Sequence, residues 1–263
     1  TGAAPGNGGG IHITGDGGLT ISGGAVRNNF AAAEGGGLWN GTGLMTIRGV
    51  NITENVASGD AADQGGGGIF NAGGEIVILG TPLMFISDNE ADGSSGSGGG
   101  ILNDAGGIIE IDGGVIIDNN AASRAGGGIE VTADTETRLN DVSIEDNSTG
   151  SAPGNGGGVH ISGSGSVVLN NSSIINNFAD NEGGGYYIAG PGTATINYST
   201  ISGNESEGDG GGIFNEGALF LNASTVANNV TDSNGGGIAS TDGSGGSILS
   251  SIVAMNVAAG TGD

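Results

Sequence analysis

Apolar residues come in short alternating runs, such as Ile11-His12-Ile13, Leu19-Thr20-Ile21 and Ala25-Val26-Arg27, separated by glycine, asparagine and aspartate. Alternation with a period of two over so few residues predicts strands, and no stretch carries a helical stripe of useful length. The runs recur. Glycine triplets start at positions 8, 35, 66, 98, 126, 156, 183, 210 and 235, at intervals of 25 to 32 residues. The form GGGIFN at 66–71 returns at 210–215, with GGGLWN at 35–40 and GGGILN at 98–103. A phosphate-cradling loop needs such glycines once; a scaffold that stacks one unit on itself needs them in every unit.

A second signature, Ile or Val, two residues, then Asn, follows every triplet. Its asparagines are Asn29, Asn55, Asn89, Asn120, Asn147, Asn177, Asn204, Asn229 and Asn256. A third mark, an Ile or Leu five residues before that Ile/Val, appears in seven units as Ile21, Ile47, Leu139, Leu169, Ile196, Leu221 and Ile248. Units three and four depart from it, and unit three holds an insertion around LGTPLMF. Three short strands per unit, repeated nine times, predict an all-β solenoid: a single-stranded parallel β-helix of about nine coils with three short strands each. The single domain, 1–263, divides into coils near 8–34, 35–65, 66–97, 98–125, 126–155, 156–182, 183–209, 210–234 and 235–263. At a strand spacing of about 4.8 Å the coils make a rod near 40 Å long.

Residues at equal positions then lie directly above one another. Glycine at a corner avoids crowding the next turn and allows positive φ at a sharp bend. The residue after each triplet points inward, as does the residue two further on: Asn40, Asn71, Asn103 and Asn215, Ser240, or apolar Ile13, Val131, Ile161 and Ile188. Stacked asparagines can pass amide hydrogen bonds from coil to coil, and the Ile/Val-x-x-Asn corners tolerate left-handed backbone. Both columns are read as structural. The residue between the two inward positions faces outward, giving His12, Trp39, Phe70, Leu102, Glu130, His160, Tyr187, Phe214 and Ala239. Trp39, Phe70 and Leu102 are expected to form one exposed apolar stripe, and Tyr187 with Phe214 a second, for partner binding, lateral bundling or sugar stacking.

A longer period of 148 residues lies over the shorter one. TGAAPGNGGGIHI at 1–13 matches TGSAPGNGGGVHI at 149–161 in all but two positions. Five coils form this higher unit, and the ninth coil corresponds to the fourth. The chain, which opens at Thr1, reads as a processed product or a piece of a longer solenoid, or as a subunit that stacks head to tail.

Composition narrows the chemistry. Glycine reaches 62 residues without a three-residue period, which excludes collagen. The 28 acidic residues face only four arginines, Arg27, Arg48, Arg124 and Arg138, for a formal charge of −24, so nucleic acid is not an expected partner. The chain has no cysteine, hence neither disulfides nor thiolate metal sites, and no apolar run of membrane-spanning length, so membrane insertion is not expected. The arginines are scattered, lysine is absent, and His12 and His160 are equivalent members of the long repeat, which speaks against a catalytic site. Loops 58–64 and 204–210 could hold calcium through Asp60, Asp63, Glu205, Glu207 or Asp209, although neither matches an EF-hand or the GGxGxD pattern. No cofactor or other metal site is expected. Of nine Asn-x-Ser/Thr sequons, Asn40, Asn147, Asn204 and Asn229 fall on ladder positions; Asn51, Asn170, Asn197 and Asn222, with adjacent Asn171, are outward candidates for glycosylation.

The alternation of GGGI with Ile/Val-x-x-Asn resembles the polymorphic outer membrane protein repeats, marked by GGA before an aliphatic residue and by Phe-x-x-Asn, and the wider class of β-helix repeat proteins of microbial surfaces. Here Gly replaces the Ala and Ile/Val the Phe. The resemblance covers the whole chain and implies a right-handed parallel β-helix displayed outside the cell or on its surface as an adhesin or stalk. The expected function is therefore structural and non-enzymatic: a surface stalk, or a filament subunit self-associating end to end. An adhesin or carbohydrate-binding module is the alternative, with glycans or cell-surface molecules as partners. A polysaccharide lyase-like enzyme is a third.

Overall fold

The computed structural model describes residues 6–80 and 83–260. Among them there is no helix; short parallel strands form three sheets that wind around one core. The first sheet has nine strands, running from Ile11–Ile13 through Leu38–Asn40 and Ile69–Ala72 to Ile238–Ser240, each paired with the next coil. The second has 16 strands, because most coils supply two segments across a bend, as with Leu44–Arg48 and Asn51–Thr53. In coils four and five these merge into Ile108–Asp118 and Glu136–Glu145. The third sheet stacks nine two-residue strands, Phe30–Ala31 to Val257–Ala258. Each coil thus visits three sheets, and the middle one is bent.

Register is like over like. Leu38 pairs with Ile69, Trp39 with Phe70 and Asn40 with Asn71. The inward residues fill a continuous apolar core from Val26 to Val226. Units three and four, which lack the third mark in sequence, possess it in space: Ile78 pairs with Ile47 on one side and Ile111 on the other, and Ile111 with Leu139. Extra residues at the bend, inserted between Ile78 and Ile86 and between Ile111 and Ile117, hide the column from a fixed-spacing reading. The opening residues of the 148-residue match, 1–5, lie outside the described residues, as do 81–82 of the insertion and 261–263.

The three glycines of a triplet serve three ends. The first is left-handed in all nine coils, as at Gly35 with φ +64°. A Cβ on the second, Gly36, would sit 2.4 Å from the Gly67 carbonyl oxygen and 2.5 Å from that of Val56, so two backbones close upon it. A Cβ on the third, Gly37, would lie 2.6 Å from the Gly68 oxygen and 3.0 Å from the Asn55 amide. Triplet and Asn signature are therefore one device: the third glycine makes room for the corner asparagine of its own coil. Left-handed backbone does occur at these corners, but on the residue before the asparagine, including Asn28, Glu54, Asp88, Asn119 and Asp146.

The corner asparagines form an unbroken ladder. Asn147 donates from its backbone N–H at 3.0 Å and from Nδ2 at 2.9 Å to Asn177 Oδ1, and again from Nδ2 at 2.9 Å to the Ile117 carbonyl. Its own Oδ1 accepts the same pair from Asn120. Every polar atom of the side chain is engaged, which is what burial demands. Amide-to-amide bonds of 2.8 to 3.0 Å repeat this from Asn29 to Asn256. A shorter inward row, Asn40 to Asn71 to Asn103, ends on the Thr137 hydroxyl, where the next coil has Val131 at that position.

Candidate functional site: the outer face of the first sheet

Strand alternation turns His12, Trp39, Phe70, Leu102, Glu130, His160, Tyr187, Phe214 and Ala239 to the outside of the first sheet, in register with one another. The rings stack. Centroids lie 4.2 Å apart for His12 and Trp39, 6.4 Å for Trp39 and Phe70, 4.8 Å for His160 and Tyr187, and 5.2 Å for Tyr187 and Phe214. The expected exposed stripes are, however, covered: relative exposure is 2% at Phe70, 0% at Leu102, 8% at Tyr187 and 4% at Phe214, and only Trp39 is half-buried. The loop entering each glycine triplet lies close over this face; a Cβ on Gly98 would sit 2.9 Å from that of Leu102. Loop carboxylates close over the rings as well. Glu34 accepts the Trp39 Nε1–H at 3.0 Å, and Glu216 accepts the Tyr187 hydroxyl at 3.0 Å.

These acids feel their surroundings. Burial pushes the Glu34 carboxyl above its usual range; the Trp39 and Asn7 donors oppose this, while Asp63 and Asp104 add to it. Glu182, its counterpart 148 residues on, is raised by burial and by Glu216 and Asp209. The Tyr187 phenol is pushed far up by burial and by its bond to Glu216. At the centre of the row Glu130 is fully buried. Arg124 Nη2 approaches its Oε1 to 3.1 Å and Ser162 Oγ to 2.9 Å, and His160 Nδ1 lies 2.7 Å from Oε2, in contact but outside hydrogen-bonding alignment. Arg124 is therefore not one of a scattered set but the neutralising partner of a buried acid. Its separation from Glu130 by six residues, with His160 facing Glu130 in the next coil, is the signal that sequence reasoning missed. A buried ion pair of this kind contributes little net stability, yet removing one partner is costly.

The remaining candidates are dispersed. Asp60 accepts the Ser94 N–H at 2.9 Å, which holds its carboxyl below the usual range. Burial alone would raise Asp209, but donors from the Ser233 hydroxyl and from Asn234 outweigh it and the net shift is downward. Both carboxylates tie one coil to the next. Among the described residues no three His, Asp or Glu side chains are placed to hold one metal ion. Of the sequons, Asn40, Asn147, Asn204 and Asn229 are buried, Asn51 and Asn171 are exposed, and Asn170, Asn197 and Asn222 are half-buried. These last three belong to a second, outer amide ladder on the second sheet, Asn222 to Asn197 to Asn170 to Asn140 to Asp112, with bonds of 2.7 to 2.9 Å. Sequence carries its signal: an asparagine directly follows Leu139, Leu169, Ile196 and Leu221.

With three parallel sheets, nine coils and the ladder in place, comparison with known families is decisive: residues 86–253, more than half of the chain, match the family described as right handed beta helix region. The chain belongs to this right-handed β-helix family. The handedness expected from the surface-repeat resemblance is thereby established. Searches of the curated proteins and of the solved structures find no match. In this right-handed β-helix the outer row of the first sheet is chiefly a brace: rings and an ion-paired Glu130 packed under loops, with His12 exposed and Trp39 half-buried at one end.

Proposed function

We propose that this β-helix is a mechanical element, a rigid rod displayed outside the cell as a stalk or joined end to end into a filament. The observation that carries the reading is the corner ladder, which runs through all nine coils with amide bonds of 2.8 to 3.0 Å and is satisfied at every buried step. Such a spine resists shear between coils, because sliding one coil orphans several buried polar groups at once. Extracellular display rests on the resemblance to microbial surface repeats. End-to-end association is favoured by the stacking itself, in which each coil offers the next the same parallel strand edges in the same register. A non-enzymatic role agrees with the packing of His160, Glu130 and Arg124 against one another.

Electron microscopy of the purified chain tests this. Rods that join into filaments, with an axial repeat of about 4.8 Å continuing across the junctions, support the reading. Particles that stay single at every concentration contradict the filament form, and turnover on a polyuronate panel contradicts the non-enzymatic one.

A further inference from the structure

The outer face of the second sheet changes character along the rod. In coils three to five it carries Glu75, Glu110, Asp112, Glu136 and Arg138. In coils six to eight the strands of this sheet and the bends between them, 165–179, 192–204 and 217–229, hold no charged residue, on a chain of net charge −24. A neutral strip three coils long on so acidic a molecule matches an uncharged partner, because charge complementarity selects partners by sign and this strip offers none.

The middle of the strip is the outer amide ladder. Asn197 donates one Nδ2 hydrogen to Asn170 Oδ1 and accepts one from Asn222, both at 2.9 Å. An amide has two such hydrogens and two carbonyl lone pairs. Asn170 and Asn197, both half-exposed, therefore each keep one donor and one acceptor for an outside partner, repeated from coil to coil at about 4.8 Å. Two rings flank the ladder. Phe220 stands two residues before Asn222 and is 39% exposed; Tyr198 directly follows Asn197 and is 70% exposed. Tyr198 also sits in left-handed backbone, φ +52°, at a bend position that Asp141, Asn171, Ala223 and Ser250 fill in other coils. A bulky side chain there is strained, and a ring lying in solvent returns no packing for that strain.

The geometry points to a docking surface for an uncharged, extended polysaccharide of β-linked pyranose units. The polysaccharide lies along the rod over the ladder, its hydroxyls on the amides and the apolar faces of its sugars against Phe220 and Tyr198. A hydroxyl both donates and accepts, and each amide offers it one group of each kind. One unit of such a chain is about as long as the coil spacing, so successive sugars meet successive amides. The surface is on the side of the rod, and its use does not depend on end-to-end joining.

The test is retention of the intact chain, made without N-glycans, on cellulose and on chitin, with calorimetric titration of cellohexaose and chitohexaose. Retention on at least one polymer is expected, and added salt should not weaken it, because no charge takes part. Tyr198→Ala and Phe220→Ala should each weaken the soluble oligosaccharide about tenfold, and together abolish retention. Circular dichroism and thermal midpoint should stay unchanged, since both rings are exposed. Glu75→Gln, on the charged part of the same sheet, should leave binding as it is. No retention on either polymer, retention abolished by salt, retention that survives the double ring variant, or an equal loss with Glu75→Gln would each overturn the assignment. A dimer in sedimentation that the ring variants dissolve would overturn it too, giving the face to a second copy of the chain.

Discussion

The molecule carries two asparagine ladders of the same chemistry. The corner ladder from Asn29 to Asn256 lies buried through most of its length, and from Asn55 onward each amide also bonds the backbone of a neighbouring coil. The outer ladder, Asn140 to Asn222, lies half-exposed on the second sheet and shows only the side-chain-to-side-chain bonds. Bond lengths are nearly equal, 2.8 to 3.0 Å in the one and 2.8 to 2.9 Å in its counterpart. Length therefore does not distinguish them; access to water does. A broken bond at the surface is replaced by water, whereas a broken bond inside leaves its partners orphaned. The corner ladder locks the coils together, and the outer one trims an exposed face.

Removing one rung of each ladder should separate them sharply. Asn147→Ala takes the acceptor from the Asn120 backbone N–H and from one of the two Asn120 Nδ2 hydrogens, the other still bonded to the Ile86 carbonyl, and takes a donor from the Ile117 carbonyl, at about 1–3 kcal/mol for each group left unmet. A loss of about 3 kcal/mol or more is expected in denaturant unfolding, and a loss under about 1 would erase the distinction. Tyr186→Phe examines the reverse case, a buried polar atom with no ladder. Its hydroxyl sits unpartnered in the core, so the variant should gain about 1 kcal/mol, read as a rise in thermal midpoint. Asn197→Ala, in the outer ladder, should cost less than about 1 kcal/mol in the same assay.

The smallest effect concerns acid. Burial raises Glu182 above the ordinary carboxylate range, so the folded chain holds that proton more firmly than the unfolded chain. Its contribution is full below the unfolded value of about 4.3 and is lost as pH rises through the folded value. Stability should therefore increase slightly as pH falls from neutral toward that range, and Glu182→Gln should flatten the slope. Asp60 and Asp209, held below their usual values, act in the opposite sense: their contribution is lost only as pH falls further, below about 4.

Much of this was legible because a solenoid writes its geometry into periodicity. Glycine triplets and corner asparagines lie at nearly constant spacing, and their contact in all nine coils explains why neither signature occurs without the other. Periodicity fails where coil length changes. Ile78 and Ile111 slipped from the third column because the bend beside them carries extra residues. The outward row was read correctly as to facing but not as to exposure, since alternation reports only the side of the strand and says nothing of loops that fold back over Phe70 and Leu102. Arg124 looked isolated for a related reason: its partner Glu130 stands on the strand after the next glycine triplet, and their pairing depends on a loop path that no repeat encodes.

The most direct test of the account is hydrogen exchange at the asparagine side-chain amides, measured by NMR on the intact chain. The account predicts strong protection for Asn89, Asn120, Asn147, Asn177 and Asn204, with Asn170, Asn197 and Asn222 exchanging far faster. Comparable, rapid exchange in both sets would contradict it, for then no buried spine would hold the coils in register.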